Sequence, residues 1–244
     1  MKNGIVKINY LYNSSFKVET ENFILIFDYY NEASNSHKRN SSGGVIGEED
    51  TNTNKKILVF ATHSHGDHFS EAIFKWREQR TDIEYILSHD IDIKLVYQKV
   101  NVIAPYEQLS VYGAQIKAFG STDLGVSLLV NVDGINIFHA GDLNWWHWYD
   151  ESTEFNTEME RMFKEEVEKI KGAKIDVAFF PVDPRLRESY DLGPSYFIKE
   201  VKPKSLIPMH FREDFYITKE FASANKDKPV EIYPINKRGE QIFV

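Results

Sequence analysis

Short apolar runs separated by polar turns open the chain. The pattern predicts strands at residues 5–10, 16–20 and 23–27, with turns at 13–14 and 21–22. Connections this short favour antiparallel neighbours. The opening segment is therefore predicted to form an antiparallel meander.

A polar segment at residues 31–56 interrupts this pattern. It is rich in Asn, Ser, Gly, Glu and Lys, and Val45 and Ile46 are its clear apolar anchors. Such composition predicts a flexible insert, either a loop or a disordered segment. A lid over a site and a surface excursion both stay open for this insert.

From residue 56 onward, apolar strands alternate with helices. The pattern predicts strands at 56–60, 83–87, 115–119, 126–132, 134–138, 175–180 and 205–209, and helices at 71–80, 92–100, 154–171 and 195–201. Ser152 or Thr153 can cap the helix at 154–171, and we interpret its Met159 and Met162 as core packing. This alternation is typical of a mixed α/β (α+β) sandwich, here a single domain over residues 1–244.

A dense group of histidines follows the first of these later strands. His63, His65, Asp67 and His68 fall within six positions, and Gly66 between them favours a turn. A turn can aim the four side chains at one point, whereas a continuing strand would alternate them between its faces. Imidazole and carboxylate ligands suit zinc or a similar divalent ion. The pattern predicts a metal site at the carboxyl end of this strand.

The His-x-His-x-Asp-His spacing of this group resembles the signature of the metallo-β-lactamase superfamily. Asp142, in a Gly-Asp pair after a strand, and His210, after the strand at 205–209, extend the resemblance over most of the chain. The run at 139–142 also resembles the branch that includes ascorbate-phosphate lactonase-like proteins. The resemblance implies a four-layer αββα sandwich and a metal-dependent hydrolase.

The resemblance also implies the metal ligands. It assigns His63 and His65 to a first site, Asp67, His68 and His210 to a second site, and Asp142 to a bridge between the two. The resemblance further implies that Asp67 acts in catalysis, where it orients the attacking water or takes up its proton.

One ligand of the family pattern is missing. Ser121 stands where a third first-site histidine is expected, and a neutral hydroxyl is a poor zinc ligand. We therefore expect a tight second site and a weak or empty first site. Asp123 is a candidate for substrate contact and a possible substitute ligand, although we favour a turn cap or a group that orients a ligand. His139 is interpreted as a core residue or as a support for the ligands.

An aromatic loop follows Asp142. Three of the four tryptophans, Trp145, Trp146 and Trp148, fall within four residues. Such amphipathic rings suit a pocket wall, so Trp145 and Trp146 are predicted substrate contacts, while at least one ring anchors the loop to the core. His147 is a candidate catalytic residue that donates a proton to the leaving group, and a direct ligand role also stays open.

A second polar loop leaves the strand at 175–180. Asp183 and Arg185 are predicted substrate contacts, with Arg187 as a further candidate. An arginine can bind a carboxylate or a phosphate through two parallel hydrogen bonds. A loop held by salt bridges is the alternative interpretation.

Composition narrows the function. The net charge is −8, with 37 acidic and 29 basic residues and no basic stripe, which argues against a nucleic-acid polymer as partner. The chain has no cysteine, so a metal must be held by nitrogen and oxygen ligands. Apolar runs stay well short of the roughly 20 residues of a membrane helix, and no apolar signal segment is recognised. We expect a soluble, cytoplasmic protein without membrane contact.

These observations predict a hydrolase with one or two ions per chain, with zinc expected and manganese or iron open. A divalent ion lowers the pKa of bound water to about 7, so metal-bound hydroxide would attack the substrate. The expected substrate is a small polar or anionic metabolite: a lactone, an ester, an amide or a phosphodiester. A nucleotide phosphodiesterase and a non-catalytic metal-binding protein are the alternatives. The pattern does not predict an oligomeric state.

Overall fold

Two seven-stranded sheets form the centre of the molecule. The computed structural model describes residues 6–34, 37–93 and 100–244. The first sheet contains β1 (Lys7–Tyr12), β2 (Ser15–Glu19), β3 (Phe23–Phe27), β4 (Lys56–Ala61), β5 (Glu84–Ser88), β6 (Asn101–Ile103) and β14 (Gln241–Phe243). The second contains β7 (Gln108–Val111), β8 (Ala114–Phe119), β9 (Ser127–Val132), β10 (Ile135–His139), β11 (Val177–Pro181), β12 (Ser205–Met209) and β13 (Glu231–Ile232).

Each sheet is half antiparallel and half parallel. The first sheet has the order β14-β1-β2-β3-β4-β5-β6, and the second has the order β13-β12-β11-β10-β9-β8-β7. In the first sheet, β14, β1, β2 and β3 pair antiparallel, which confirms the predicted meander, and β3 to β6 pair parallel. In the second sheet, β7 to β10 pair antiparallel and β10 to β13 pair parallel.

Strand β3 illustrates how the layers pack. Alternate side chains of a strand point to opposite faces of the sheet. Leu25 and Phe27 face the core between the two sheets, while Ile24 and Ile26 face an outer cluster that includes Ile73. Both faces of the strand are therefore buried, as expected for a strand with a parallel neighbour. The helices lie outside the sheets, so the α/β fold is the predicted αββα sandwich.

Four α-helices are present in the described ranges: α1 (Glu48–Thr51), α2 (Thr153–Ile170), α3 (Leu192–Val201) and α4 (Tyr216–Ala224). The Ser152 side chain caps α2 by accepting a hydrogen bond from the Phe155 amide, as predicted. Phe163, Val167 and Ile170 of α2 are fully buried against the second sheet.

The core role predicted for the methionines of α2 is wrong. Met162 is exposed and Met159 is half-buried. Helical spacing identifies one apolar stripe of about 100°. In α2 that stripe is centred on Phe163 and Val167, so Met159 lies beside it and faces the cavity above the candidate metal ligands.

Several elements differ from the predictions. The helix predicted at 71–80 is a 3-10 helix, Glu71–Glu78, which buries Ile73 and Phe74 against the first sheet. The helix predicted at 92–100 falls mostly outside the described residues. Strands β6, β7, β13 and β14 were not predicted, because two to four residues are too few for a strand pattern to be recognised. Helix α4, with nine residues, was also not predicted.

The insert at 31–56 packs along the first sheet where it is described. It contains a 3-10 helix at Ser41–Gly43 as well as α1. The apolar anchors Val45 and Ile46 are buried, and Asp50 forms a buried ion pair of 2.7 Å with Lys17. No described residue of this insert lines the cavity above the candidate metal ligands, which gives the lid interpretation no support.

The carboxyl ends of β3, β4, β10, β11 and β12 meet at one edge of the sandwich. In sheets with parallel strands, ligands bind outside these ends. Every predicted metal ligand follows one of these strands closely. Among the helices of the described ranges, none combines the length and apolar character needed to cross a membrane.

Candidate metal centre

The second site is formed by loops that follow three different strands. His68 belongs to the turn after β4, Asp142 follows β10, and His210 directly follows β12. Asp142 Oδ1 lies 3.1 Å from His68 Nε2 and 3.4 Å from His210 Nε2. Asp67 Oδ2 lies 3.9 Å from His210 Nε2. These distances suit ligands of one ion, since zinc–ligand bonds of about 2.0–2.2 Å place two ligands roughly 3–4 Å apart.

The first site shares Asp142 with the second. Asp142 Oδ2, its other carboxylate oxygen, lies 3.4 Å from His63 Nε2. His63 Nε2 in turn lies 3.1 Å from His65 Nδ1. The two oxygens of Asp142 therefore face the two sites separately, as expected of a carboxylate that bridges two ions.

Unsatisfied polar atoms indicate that the residues fit a metal ion. His68 Nε2, Asp142 Oδ1 and His210 Nε2 are buried, and none of them has a hydrogen-bond partner in the described part of the chain. Buried polar atoms are nearly always paired, so three converging exceptions call for a ligand. Nitrogen lone pairs beside a carboxylate oxygen are what a divalent cation binds.

Two buried carboxylates orient the histidines of the second site. Asp28, just after β3, accepts a hydrogen bond of 2.8 Å from His68 Nδ1, and Asp183, just after β11, lies 2.9 Å from His210 Nδ1. Each bond places the proton on Nδ1 and leaves the Nε2 lone pair free for a metal. Asp28 was missed in the sequence, where the available signal was an acidic residue directly after a fully apolar strand.

Electrostatics favours ionised carboxylates in the centre. Burial alone would raise the pKa of Asp142, but its electrostatic interactions with the neighbouring His68, His210 and His63 rings hold this pKa well below its usual value. Burial likewise opposes ionisation of Asp183, and hydrogen bonds from His210 and Arg185 nevertheless lower its pKa. Both side chains are therefore negatively charged at neutral pH, as metal and histidine partners require.

His139 supports the centre without belonging to it. Its Nε2 lies 2.9 Å from the Ser14 carbonyl oxygen, and its Nδ1 accepts a hydrogen bond from the Gly141 amide. The ring is fully buried and stacks on Phe27 at 4.9 Å. Burial lowers the pKa of His139, which keeps the ring neutral. Its position agrees with the supporting or core role predicted for it.

A cavity of about 480 Å³ opens above the two sites. Its lining comprises His65, Asp67, Thr122, Asp123, Asp142, Trp146, Trp148, Phe155, Met159, Arg185 and His210. Trp146 is fixed from below, because its Nε1 donates a 2.9 Å hydrogen bond to the Asp142 carbonyl oxygen. Trp148 stacks parallel to Trp146, with ring centroids 5.8 Å apart. The size lies within the range of small-molecule sites.

The structure brings Trp146, Asp123 and Arg185 to this cavity and places three other predicted residues elsewhere. Trp145 packs against Phe163 and Tyr196 and is thus the tryptophan that anchors the loop. His147 lines a separate cleft of about 140 Å³ on the α2 side, so the geometry gives its catalytic role no support.

Asp183 is the third residue that departs from its predicted role. It is fully buried and binds both His210 and Arg185, so it positions these side chains and is not a substrate contact. Trp148, Phe155 and Met159 also line the cavity, although the sequence did not predict them as cavity residues. The signal for Phe155 and Met159 was their position beside the buried stripe of α2 in the first half of the helix.

Comparisons with known proteins agree with this geometry. No family model matches the chain. A UPF0173 metal-dependent hydrolase from Thermococcus kodakarensis is 26% identical over 224 residues, which cover 85% of each chain.

Two solved structures show the fold. A metallo hydrolase from Ignicoccus hospitalis superposes with a TM-score of 0.67 at 20% identity over 98% of each chain. The metallo-β-lactamase fold protein YhfI from Bacillus subtilis gives a TM-score of 0.63 at 12% identity, over 99% of this chain and 100% of its own. The chain thus has the metallo-β-lactamase fold and is similar in sequence to metal-dependent hydrolases.

Proposed function

We propose that the protein hydrolyses a small anionic metabolite that also carries an apolar or ring portion. The observation that carries this proposal is the cavity of about 480 Å³, whose floor consists of metal ligands and whose walls differ in character. Arg185 lies on one wall, and Trp146, Trp148, Phe155 and Met159 form the apolar part. A lactone, an ester, an amide or a phosphodiester would fit this description.

The anionic portion would contact Arg185. The Arg185 side chain is 48% exposed, and its Nε and Nη2 donate to the Asp183 carboxylate. This pairing fixes the plane of the guanidinium group and leaves its Nη1 edge available to a second partner. A fixed guanidinium can bind a carboxylate or a phosphate oxygen at small cost in side-chain entropy.

The ligand set supports metal-assisted hydrolysis. His63, His65, Asp67, His68, Asp142 and His210 would hold the metal, and a bound divalent ion supplies an acidified water and polarises the substrate oxygen. The donors are nitrogen and oxygen only, which suits zinc, manganese or iron. Zinc is the ion we propose for the second site, because its ligands include two imidazoles.

Asp67 is the proposed proton acceptor. It lines the cavity with a half-buried side chain, and Asn13 Nδ2 donates a 3.3 Å hydrogen bond to its Oδ2. The Asn13 contact restricts rotation of the carboxylate, so one oxygen faces the second site and the cavity together. A carboxylate in this position can take a proton from an attacking water.

A substrate panel tests the proposal. Metal-stripped protein is reconstituted with zinc, manganese or iron and assayed on lactones, esters, amides and phosphodiesters, each in an anionic form and a neutral form of equal size. We expect hydrolysis that requires metal and a lower KM for the anionic member of the active pair. Equal KM values for the two members would remove the anionic specificity, and inactivity with every metal and substrate would contradict hydrolysis.

A nucleotide phosphodiesterase is the second candidate function. The parallel pair Trp146 and Trp148 offers ring faces that suit stacking on a base. The same panel therefore includes cyclic and linear dinucleotides beside an RNA polymer. Activity on small diesters without activity on RNA would favour this candidate, and the ascorbate-phosphate lactonase-like branch stays a prediction that the lactone assays address.

A further inference from the structure

We propose that Asp123 replaces the missing first-site histidine as a metal ligand. The proposal rests on the metal centre of the proposed function and goes beyond it by completing the first site. One oxygen of Asp123, one ring nitrogen of His65 and one oxygen of Asp142 lie within 4.8 Å of one another. With His63, these residues give the first site two imidazoles and two carboxylates.

The loop that carries Asp123 is fixed against the first site. The Val126 amide donates a 2.9 Å hydrogen bond to the Thr62 carbonyl oxygen, next to His63. Gly125 has a φ of +72°, and a Cβ built there would lie 2.0 Å from the same oxygen. The backbone approach is therefore possible only with glycine. This end of the loop cannot move away from His63 without losing the hydrogen bond between Val126 and Thr62.

The other end of the loop is tied to the segment after Asp142. Thr122 Oγ1 donates a 2.6 Å hydrogen bond to the Asn144 carbonyl oxygen and accepts one from the Asn144 amide. Thr122 is buried, whereas Asp123 next to it points into the cavity. The loop thus holds Asp123 between the two segments that supply the remaining first-site ligands.

The distance between Asp123 and His65 favours a role for Asp123 as a metal ligand over a role in orienting the His65 ring. Asp123 Oδ2 lies 3.9 Å from His65 Nδ1, which is too long for a hydrogen bond that would orient this ring. The same distance suits two ligands of one ion, because bonds of about 2.0–2.2 Å place ligands roughly 3–4 Å apart. The turn-cap role is filled by Ser121, whose Oγ accepts a 3.2 Å hydrogen bond from the Asp123 amide.

This assignment explains the serine at the position of the missing histidine. The Ser121 hydroxyl shapes the turn, and the ligand role moves two residues along the loop to Asp123. With Asp123 as a second carboxylate ligand, the first site has more oxygen ligands, which are hard ligands, than a site with three histidines would have. Carboxylate ligands suit manganese, whereas imidazole ligands suit zinc. We therefore expect the first site to prefer a harder ion than the second site does.

Metal titration of single variants tests the assignment without an activity assay. The full-length protein, Asp123→Ala and Asp123→Asn are stripped with chelator and titrated with cobalt(II) by calorimetry and by visible absorption. We expect two ions per chain in the unaltered protein. Both variants should keep the tighter ion, and their affinity for the weaker ion should fall at least about tenfold, with loss of its absorption component. Asp227→Asn, which removes an exposed charge far along the chain, should behave as the unaltered protein.

Each outcome decides the assignment. Unchanged affinity for both ions in Asp123→Ala would overturn it and leave the hydrolase proposal intact. Loss in Asp123→Ala with full retention in Asp123→Asn would overturn the ligand role, because an amide keeps a supporting hydrogen bond but loses the anionic ligand. A single ion in the unaltered protein would also overturn the assignment. No bound ion at all would instead contradict the proposed function.

Discussion

The two sites of the metal centre share Asp142 but differ in their exposure to solvent. In the second site, both histidines are buried, with the His210 side chain 5% exposed, and Asp67 at the cavity surface is 35% exposed. In the first site, the His65 and Asp123 side chains are 43% and 42% exposed. The second site therefore lies in the wall of the sandwich, and half of the first site lies on the surface of the cavity.

The sites also differ in what holds their ligands. Asp28 and Asp183 each bind the outer nitrogen of a second-site histidine. Within the described residues, no carboxylate holds His65 in this way. Oriented ligands lose less entropy when an ion binds, and outer hydrogen bonds of this kind strengthen metal affinity by roughly 10- to 100-fold. From this difference we expect the second site to hold its ion more tightly than the first site does.

The largest expected effect comes from the residue that the two sites share. Asp142→Ala removes one oxygen from each site and leaves His68 and His210 without their common partner. We expect loss of tight binding at both sites and a fall in hydrolysis of at least about a hundredfold. Elemental analysis and metal titration measure the first effect, with the exposed Asp150→Ala as control. One ion retained at full affinity would show that the sites are independent.

Asp183→Ala tests whether the carboxylate behind His210 gives the second site the tighter metal binding that we expect of it. The substitution removes the hydrogen-bond acceptor of His210 Nδ1 and touches no first-site residue. We expect second-site affinity to fall about 10- to 100-fold, with first-site affinity unchanged. Calorimetric titration separates the two sites. Asp183→Asn keeps an oxygen that can accept the hydrogen bond from His210, so its second-site affinity should fall less than that of Asp183→Ala. An equal loss at both sites would contradict the comparison.

The sequence predicted the ligands better than it predicted their supports. His63, His65, Asp67 and His68 form a local pattern, and local patterns are visible without the fold. Asp28 supports His68 across forty positions of the chain, and Asp183 supports His210 from another strand. These pairs depend on which strand ends become neighbours in the sheets, and this arrangement has no local signature.

Side-chain direction limited the predictions in a similar way. The alternation of strands and helices was sufficient to predict a mixed sandwich, because apolar spacing is set by the backbone period, and the family resemblance supplied its four αββα layers. Spacing did not reveal that Met159 faces the cavity while Phe163 faces the core. In the irregular loop after Asp142, no period exists at all. Neighbouring Trp146 and His147 therefore point to different clefts.

Gly125→Ala tests whether the first site depends on the loop that carries Asp123. The added Cβ would meet the Thr62 carbonyl oxygen, and the positive φ of Gly125 is itself unfavourable for alanine by about 1–2 kcal/mol. We expect the free energy of unfolding to fall by about 2 kcal/mol or more. The affinity of the first site for its ion should fall about tenfold, because a shift of this loop displaces Asp123. The affinity of the second site should stay unchanged, because none of its ligands lies on this loop.

Gly113→Ala is the matched control for this substitution. Gly113 also has a positive φ, of +89°, but a Cβ built there meets no atom within 4 Å. This control should show the backbone penalty alone, with both metal affinities unchanged. Equal losses of first-site affinity in the two variants would mean that general destabilisation, and not the close approach to Thr62, is responsible.

The smallest effect is expected for Arg185→Ala. This substitution tests whether the side of the cavity next to the second site also binds the anionic part of the substrate. Asp183 holds both His210 and Arg185, so the rigid side of the centre extends to the cavity wall. We expect KM for an anionic substrate to rise about tenfold at most, because the guanidinium group is half-exposed and its charge is screened. Affinity for both ions should stay unchanged. Arg187→Ala, whose guanidinium stacks on Tyr149 at 3.4 Å and does not line the cavity, is the control. A rise in KM that is equal for the neutral substrate of the same size would assign Arg185 to cavity shape and leave the anionic anchor elsewhere.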